Sequence, residues 1–154
     1  MRYAIVRNER GWIAKLLVYA IIAGALYAGY YYFQATPRYA LMQFKKAVSF
    51  SDAKTAEKYL DIDRFRSDLP ETITKSANEK EFRNRVLREI DMPYEKTMFK
   101  SVTKWKTLTI PINIADNVAT VEQDDGTTIE LEKITERQWI ITSIRFQPED
   151  AEKK

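Results

Sequence analysis

Between Trp12 and Phe33 the chain reads WIAKLLVYAIIAGALYAGYYYF, with Lys15 its one charged residue. A helix rises about 1.5 Å per residue, so about 22 residues reach roughly 33 Å, enough to cross a hydrocarbon core of about 30 Å. No other stretch of the 154 residues is apolar over a comparable length. About 120 residues are left for a soluble part, the size of one domain with one core. The expected layout is a basic segment at 1–11, a membrane helix at 12–33, a linker at 34–36, a soluble domain at 37–147 and a polar tail at 148–154.

The net charge is +3, and its location matters more than its size. Arg2, Arg7, Arg10 and Lys15 against Glu9 already give +3, so residues 16–154 are neutral as a whole. Positive charge gathered beside an apolar span is a topology signal. It holds the N-terminal segment in the cytoplasm and sends the domain across the cell membrane. It is not the distributed basic face of a nucleic-acid binder, so nucleic acid is not an expected partner. Trp12 at one end and Tyr30, Tyr31, Tyr32 and Phe33 at the other make two interfacial aromatic belts. Lys15 can return its ammonium to the headgroups along its stem. The alternative is a signal peptide cleaved after Ala23-Gly24-Ala25, which would release a secreted domain. Ala20, Gly24 and Ala28 recur every four residues, a spacing that lets two membrane helices approach closely. The expected partners are the bilayer and either a second copy or another membrane protein.

The chain has no His and no Cys. Imidazole bases, thiol nucleophiles, disulfides and the usual zinc ligand sets are therefore excluded. No acidic loop has the ligand rhythm of a calcium site, and no cofactor or metal is expected.

Thr36-Pro37 is a helix start, a capping hydroxyl followed by Pro at the first helical position. Tyr39, Ala40, Leu41, Phe44, Ala47 and Val48 then keep a 3.6-residue period to about Phe50. Ser51-Asp52 opens a second helix over Ala53 to Leu60. A third is expected from Arg64 to about Ser76, interrupted at Pro70. Glu79 to Asp91 is a charged helix with Phe82, Val86, Leu87 and Ile90 on one face. Over Pro93 to Trp105 the pattern fits helix or strand, and a helix to about Lys100 with a strand from about Thr103 is the reading taken. Val102, Leu108, Ile110, Ile112 and Ile114 alternate with polar residues, as do Val118 to Gln123, Ile129 with Leu131, and Gln138 to Phe146. Asp124-Asp125-Gly126 is a hairpin turn. Helices followed by about four antiparallel strands predict an α+β fold, with the helices packed on one face of a curved sheet. Residues 37–106 hold 16 basic and 11 acidic side chains, and residues 107–154 hold 5 and 10. The helical and sheet halves are electrostatically complementary. This helps them dock, or offers a basic helical face to an acidic partner or anionic lipid.

The segment TPRYALMQFKKAVSFSDAKTAEKYLDID, Thr36 to Asp63, resembles the opening of a small membrane-anchored bacterial family of unknown function. The closing part, Val118 to Phe146, with its "D-G" hairpin and "W-x-I-x-x-I" strand, is similar to the sheet of the nuclear-transport-factor-2-like, or cystatin-like, superfamily. That resemblance implies a cone of curved sheet wrapped around helices, often with an apolar pocket at its open end. It implies no single function, because members include isomerases, ligand binders and envelope assembly modules. No residue here matches the isomerases' catalytic motifs.

Candidate binding residues follow from side-chain chemistry. Tyr39 and Tyr59 on inward helix faces, and Trp105 and Trp139 on strands, either pack the core or line a pocket. Lys96, Lys100, Lys104 and Lys106 are interleaved with Tyr94, Phe99 and Trp105. They form either a solvated face or a surface for an anionic polymer or headgroup. Asp61 and Asp63 pair as a D-x-D motif that serves a cation or caps a helix. The function expected is a non-catalytic binding or assembly module of the cell envelope. A pocketed ligand binder or isomerase-like enzyme of the same fold is the alternative.

Overall fold

A computed structural model describes residues 9–68, 78–93 and 96–146. The chain divides into two compact units, one ending at Phe33 and one beginning at Gln34.

The described part of the first unit is helical: helix α1, Glu9–Gln34, contains the whole apolar run and ends on the first residue of the second unit. From Trp12 to Tyr30 every residue of it is exposed. Gly11–Gln34 is long and apolar enough to cross a membrane.

The second unit opens as the sequence directs. Helix α2, Pro37–Ser49, has Pro at its first position, and the Thr36 side chain accepts a hydrogen bond from the Tyr39 N–H. Its periodic face, Ala40, Leu41, Phe44, Ala47 and Val48, is buried. Helix α3 covers only Ala53–Ala56, capped by Asp52. The expected helix to Leu60 is cut short by a competing partner. Ile141 N donates to Tyr59 O, and Asp61 N donates to Ile141 O, both at 2.8 Å. These bonds pull residues 59–61 straight, as a parallel bridge beside the last strand. Asp61 then caps helix α4, Ile62–Phe65, by accepting from the Arg64 N–H. Capping is the role that the structure gives Asp61 of the D-x-D motif. A 3-10 turn, Arg66–Asp68, follows, and the rest of the expected third helix lies outside the described residues. Helix α5, Glu79–Asp91, matches its predicted bounds and buries Phe82, Val86 and Ile90.

Residues 96–112 depart from expectation. Lys100–Lys104 is a 3-10 helix, and no strand starts at Thr103. The carbonyl groups that a strand would use are taken by side chains. The Arg38 guanidinium donates to Thr107 O and Ile110 O at 3.0 Å and also to Leu108 O. Lys45 Nζ donates to Trp105 O at 2.7 Å. Of the alternating residues, Ile110 is buried and Ile112 half-buried, while Leu108 and Ile114 are exposed.

The sheet is an antiparallel meander in the order β1-β2-β3-β4. Its strands are β1 Asn113–Ala115, β2 Val118–Glu122, β3 Thr128–Thr135 and β4 Gln138–Arg145. The β1–β2 turn places Asp116 at φ 53, and Gly126 at φ 78 serves the Asp124-Asp125-Gly126 turn. Two register shifts between β3 and β4, at Glu130/Leu131 and Lys133/Thr135, add the local twist that bulges bring. Ala119, Val121, Ile129, Leu131, Ile141 and Ile144 bury against the helices. Ion pairs join the two halves: Arg64 to Glu132, Lys106 to Asp124, and Arg145 to Asp68 at 3.9 Å. The charge complementarity of helices and sheet is at least partly spent on this docking. Exposed pairs of this kind add little stability each.

Candidate functional site

Three of the four aromatic residues singled out from sequence meet in one place. Tyr39 sits in the first turn of α2, Tyr59 follows α3, and Trp139 is the second residue of β4. The bridge between residues 59–61 and β4 brings the last two side by side. The Tyr39 and Tyr59 rings meet edge to face at 6.4 Å and 74°. Trp139 is 5% exposed, and its indole N–H donates to Ala35 O at 3.0 Å. Together they line an open cleft of about 430 Å³, shared with Gln34, Lys58 and Arg137. Tyr39 and Tyr59 are half-buried, so each both packs the core and presents an edge to the cleft.

Trp105 is elsewhere. It lies at the end of the 3-10 helix and not on a strand. It is 2% exposed and packs at 6.1 Å against Phe44, which meets Phe99 at 6.0 Å, which meets Phe65 at 5.9 Å. The interior is thus filled by a chain of rings. Among the described residues the Trp105 indole N–H has no hydrogen-bond partner.

Within the lysine row, Lys100 and Lys104 do not stack one above the other. Lys96, Lys100, Lys104 and Lys106 are all exposed. An α-helix would stack residues four apart. The 3-10 helix, with about three residues per turn, sets Lys100 and Lys104 about 120° apart. Lys106 is ion-paired with Asp124. Phe99 and Trp105 are buried and offer no ring for a base or sugar to stack on; Tyr94 lies outside the described residues.

On α1, Ala20, Gly24 and Ala28 are exposed. A Cβ added at Gly24 or Gly29 would meet no other atom within 4 Å. Among the described residues no three acidic side chains gather as a metal site. The hydroxyl and backbone N–H of Thr55 hold the Asp52 carboxyl below its ordinary pKa, as suits a helix cap.

Sequence reasoning missed Lys58 and Arg137. The available signal was position: each lies within two residues of a cleft aromatic, Tyr59 and Trp139. Arg38, adjacent to Tyr39, has the same signal but turns to the carbonyl groups of residues 107–110. Comparison with known proteins returns no matching family model, no matching curated protein and no matching solved structure.

Proposed function

We propose that this chain is a single-pass membrane protein, held by α1, whose domain from Gln34 onward acts outside the cytoplasm as a non-catalytic binding or assembly module of the cell envelope. The observation that carries this reading is α1 itself. An apolar helix exposed along its length from Trp12 to Tyr30 is in its lowest free energy in lipid. The basic flank sets the orientation. The ring-filled interior and the open cleft suit surface recognition better than turnover of a sequestered substrate. The helices-then-meander order and the bulged β3–β4 pair support the cystatin-like cone that the sequence resembles. Contact with a second copy or another membrane helix runs through Ala20, Gly24 and Ala28 in this reading. Two differently tagged copies are expected to co-purify, and Gly24→Leu is expected to abolish the recovery. Co-purification unchanged by Gly24→Leu removes that face from the account.

The chain's lack of cysteine makes topology testable. Single-cysteine variants Asn8→Cys and Ser49→Cys are treated with a membrane-impermeant maleimide on intact cells. Labelling at position 49 and protection at position 8 is the expected result. The reverse pattern overturns the orientation.

A further inference from the structure

Among the described residues, β1 is the open edge of the sheet. It pairs with β2 alone, while the far side of β4 carries the bridge from Leu60 to Ile141. Which backbone groups of β1 reach that edge follows from the ladder. Gln123 N donates to Thr127 O at 2.9 Å and Lys133 N to Asn117 O at 2.8 Å. The odd-numbered residues of β2 thus turn to β3 and the even-numbered ones to β1. Val118 and Thr120 are even, and they oppose Ala115 and Asn113. Ala115 and Asn113 therefore direct their N–H and C=O groups at β2, and Ile114 between them turns both of its groups out of the sheet. Ile112 has the same parity as Ile114. Pro111 has the parity of Asn113, so the N–H it lacks would have faced β2 and not the open edge. Among the described residues nothing hydrogen-bonds to the N–H or C=O of Ile112 or Ile114.

The side chains match this backbone. Ile114 opposes buried Ala119, yet is itself 57% exposed. Ile112 is half-buried against the core. Natural sheets commonly guard an edge strand with charge against pairing with another chain. Here Thr107 to Ala115, TLTIPINIA, is the longest run without a charged residue after α1.

We propose that β1 is a homodimer edge: the β1 strands of two copies pair antiparallel about a two-fold axis at Asn113, joining two four-stranded sheets into one. A two-fold axis sets a patch against its own copy, so an uncharged strand meets no like charge there. The free groups fix the register. Centring on Asn113 pairs Ile112 of each copy with Ile114 of the other and uses every free N–H and C=O of both residues. Centring on Ile114 would bring Asp116, at φ 53, into the ladder. Centring on Ile112 would need the Ile110 carbonyl, which Arg38 already holds. In the Asn113 register the isoleucines form one apolar row on the face that carries Ala119, and the two Asn113 side chains meet on the other.

The test uses the full chain in a mild detergent. Native mass spectrometry over a dilution series is expected to show a reversible dimer. Ile114→Lys puts a charge on the edge and removes the apolar contact on both sides of the axis, weakening the dimer roughly tenfold or more. Ile134→Lys, at an exposed position of β3, leaves it unchanged. Circular dichroism confirms that both variants fold. The register is read by disulfide formation, because the chain has no cysteine of its own. Opposed residues of a non-hydrogen-bonded antiparallel pair lie about 4.5 Å apart at Cα, within disulfide reach. Asn113→Cys is therefore expected to oxidise to a covalent dimer, and Glu136→Cys, in the β3–β4 turn, is not. A chain that stays monomeric at every concentration overturns the proposal. So does a dimer that cross-links equally at positions 113 and 136. A dimer abolished by Gly24→Leu and indifferent to Ile114→Lys places the contact on α1 and overturns this inference alone. A dimer that survives Gly24→Leu and is lost in Ile114→Lys supports it, whether or not α1 also self-associates.

Discussion

The indole N–H of Trp139 donates to the carbonyl oxygen of Ala35 across 3.0 Å, joining the last strand to the residue just after the apolar helix. The two residues are 104 positions apart. The start of the domain is therefore fixed to its sheet and does not hang from a free linker. Replacing Trp139 with Phe keeps a ring but removes the donor and leaves the Ala35 carbonyl without its partner. A loss of about 1–3 kcal/mol is expected, from the hydrogen bond and the smaller ring together. Thermal unfolding measures the loss. Hydrogen exchange should rise first at Tyr39, whose N–H closes the α2 cap. Unchanged exchange there would mean that Trp139 only fills space.

Arg38 clamps the carbonyl groups of Thr107, Leu108 and Ile110. Its planar fork reaches all three, which an ammonium cannot. Arg38→Ala is expected to cost about 2 kcal/mol and Arg38→Lys about half of that, measured by denaturant midpoint. Equal effects of the two variants would show that the charge, and not the fork, holds residues 107–110.

Trp105 carries the opposite prediction to Trp139. Its indole N–H is buried without a partner among the described residues. Trp105→Phe removes an unsatisfied donor while opening a small void, and the two effects offset to within about 1 kcal/mol. A loss of more than about 3 kcal/mol would reveal that the N–H has a partner, such as a buried water.

Asp52 links stability to pH. Thr55 lowers its folded-state pKa, so the carboxylate contributes stability above the unfolded value and loses it as pH falls through the carboxylate range. Asp52→Asn keeps the cap without the charge and should flatten this part of the acid profile. Asp52→Ala should lower the melting midpoint at neutral pH as well. Identical acid profiles for native and Asn proteins would place the titration elsewhere.

The local signals in this sequence translated well where one interaction dominated. Thr36-Pro37 started α2, the face of Phe82, Val86 and Ile90 framed α5, and the last three strands fell where alternation put them. Expectation failed where a distant group outbid the local pattern. Tyr59 and Leu60 look helical in spacing, but their backbone is recruited by Ile141. Leu108 to Ile112 alternate like a strand that begins only at Asn113, because Arg38 takes carbonyl groups of residues 107–110. The cleft was half legible. Its aromatics are visible as Tyr39, Tyr59 and Trp139, whereas their meeting depends on a bridge between residues 60 and 141 that no local period encodes. Lys58 and Arg137 become meaningful only after that bridge is known.

Retention of α1 is decided by the intact mass of the native protein taken from alkaline-washed membranes. The full 154-residue chain at 18.1 kDa, found in the membrane pellet, is the expected result. A shorter protein beginning at Leu26, found in the soluble fraction, would show that the apolar helix is a cleaved signal and that the domain works free of the bilayer.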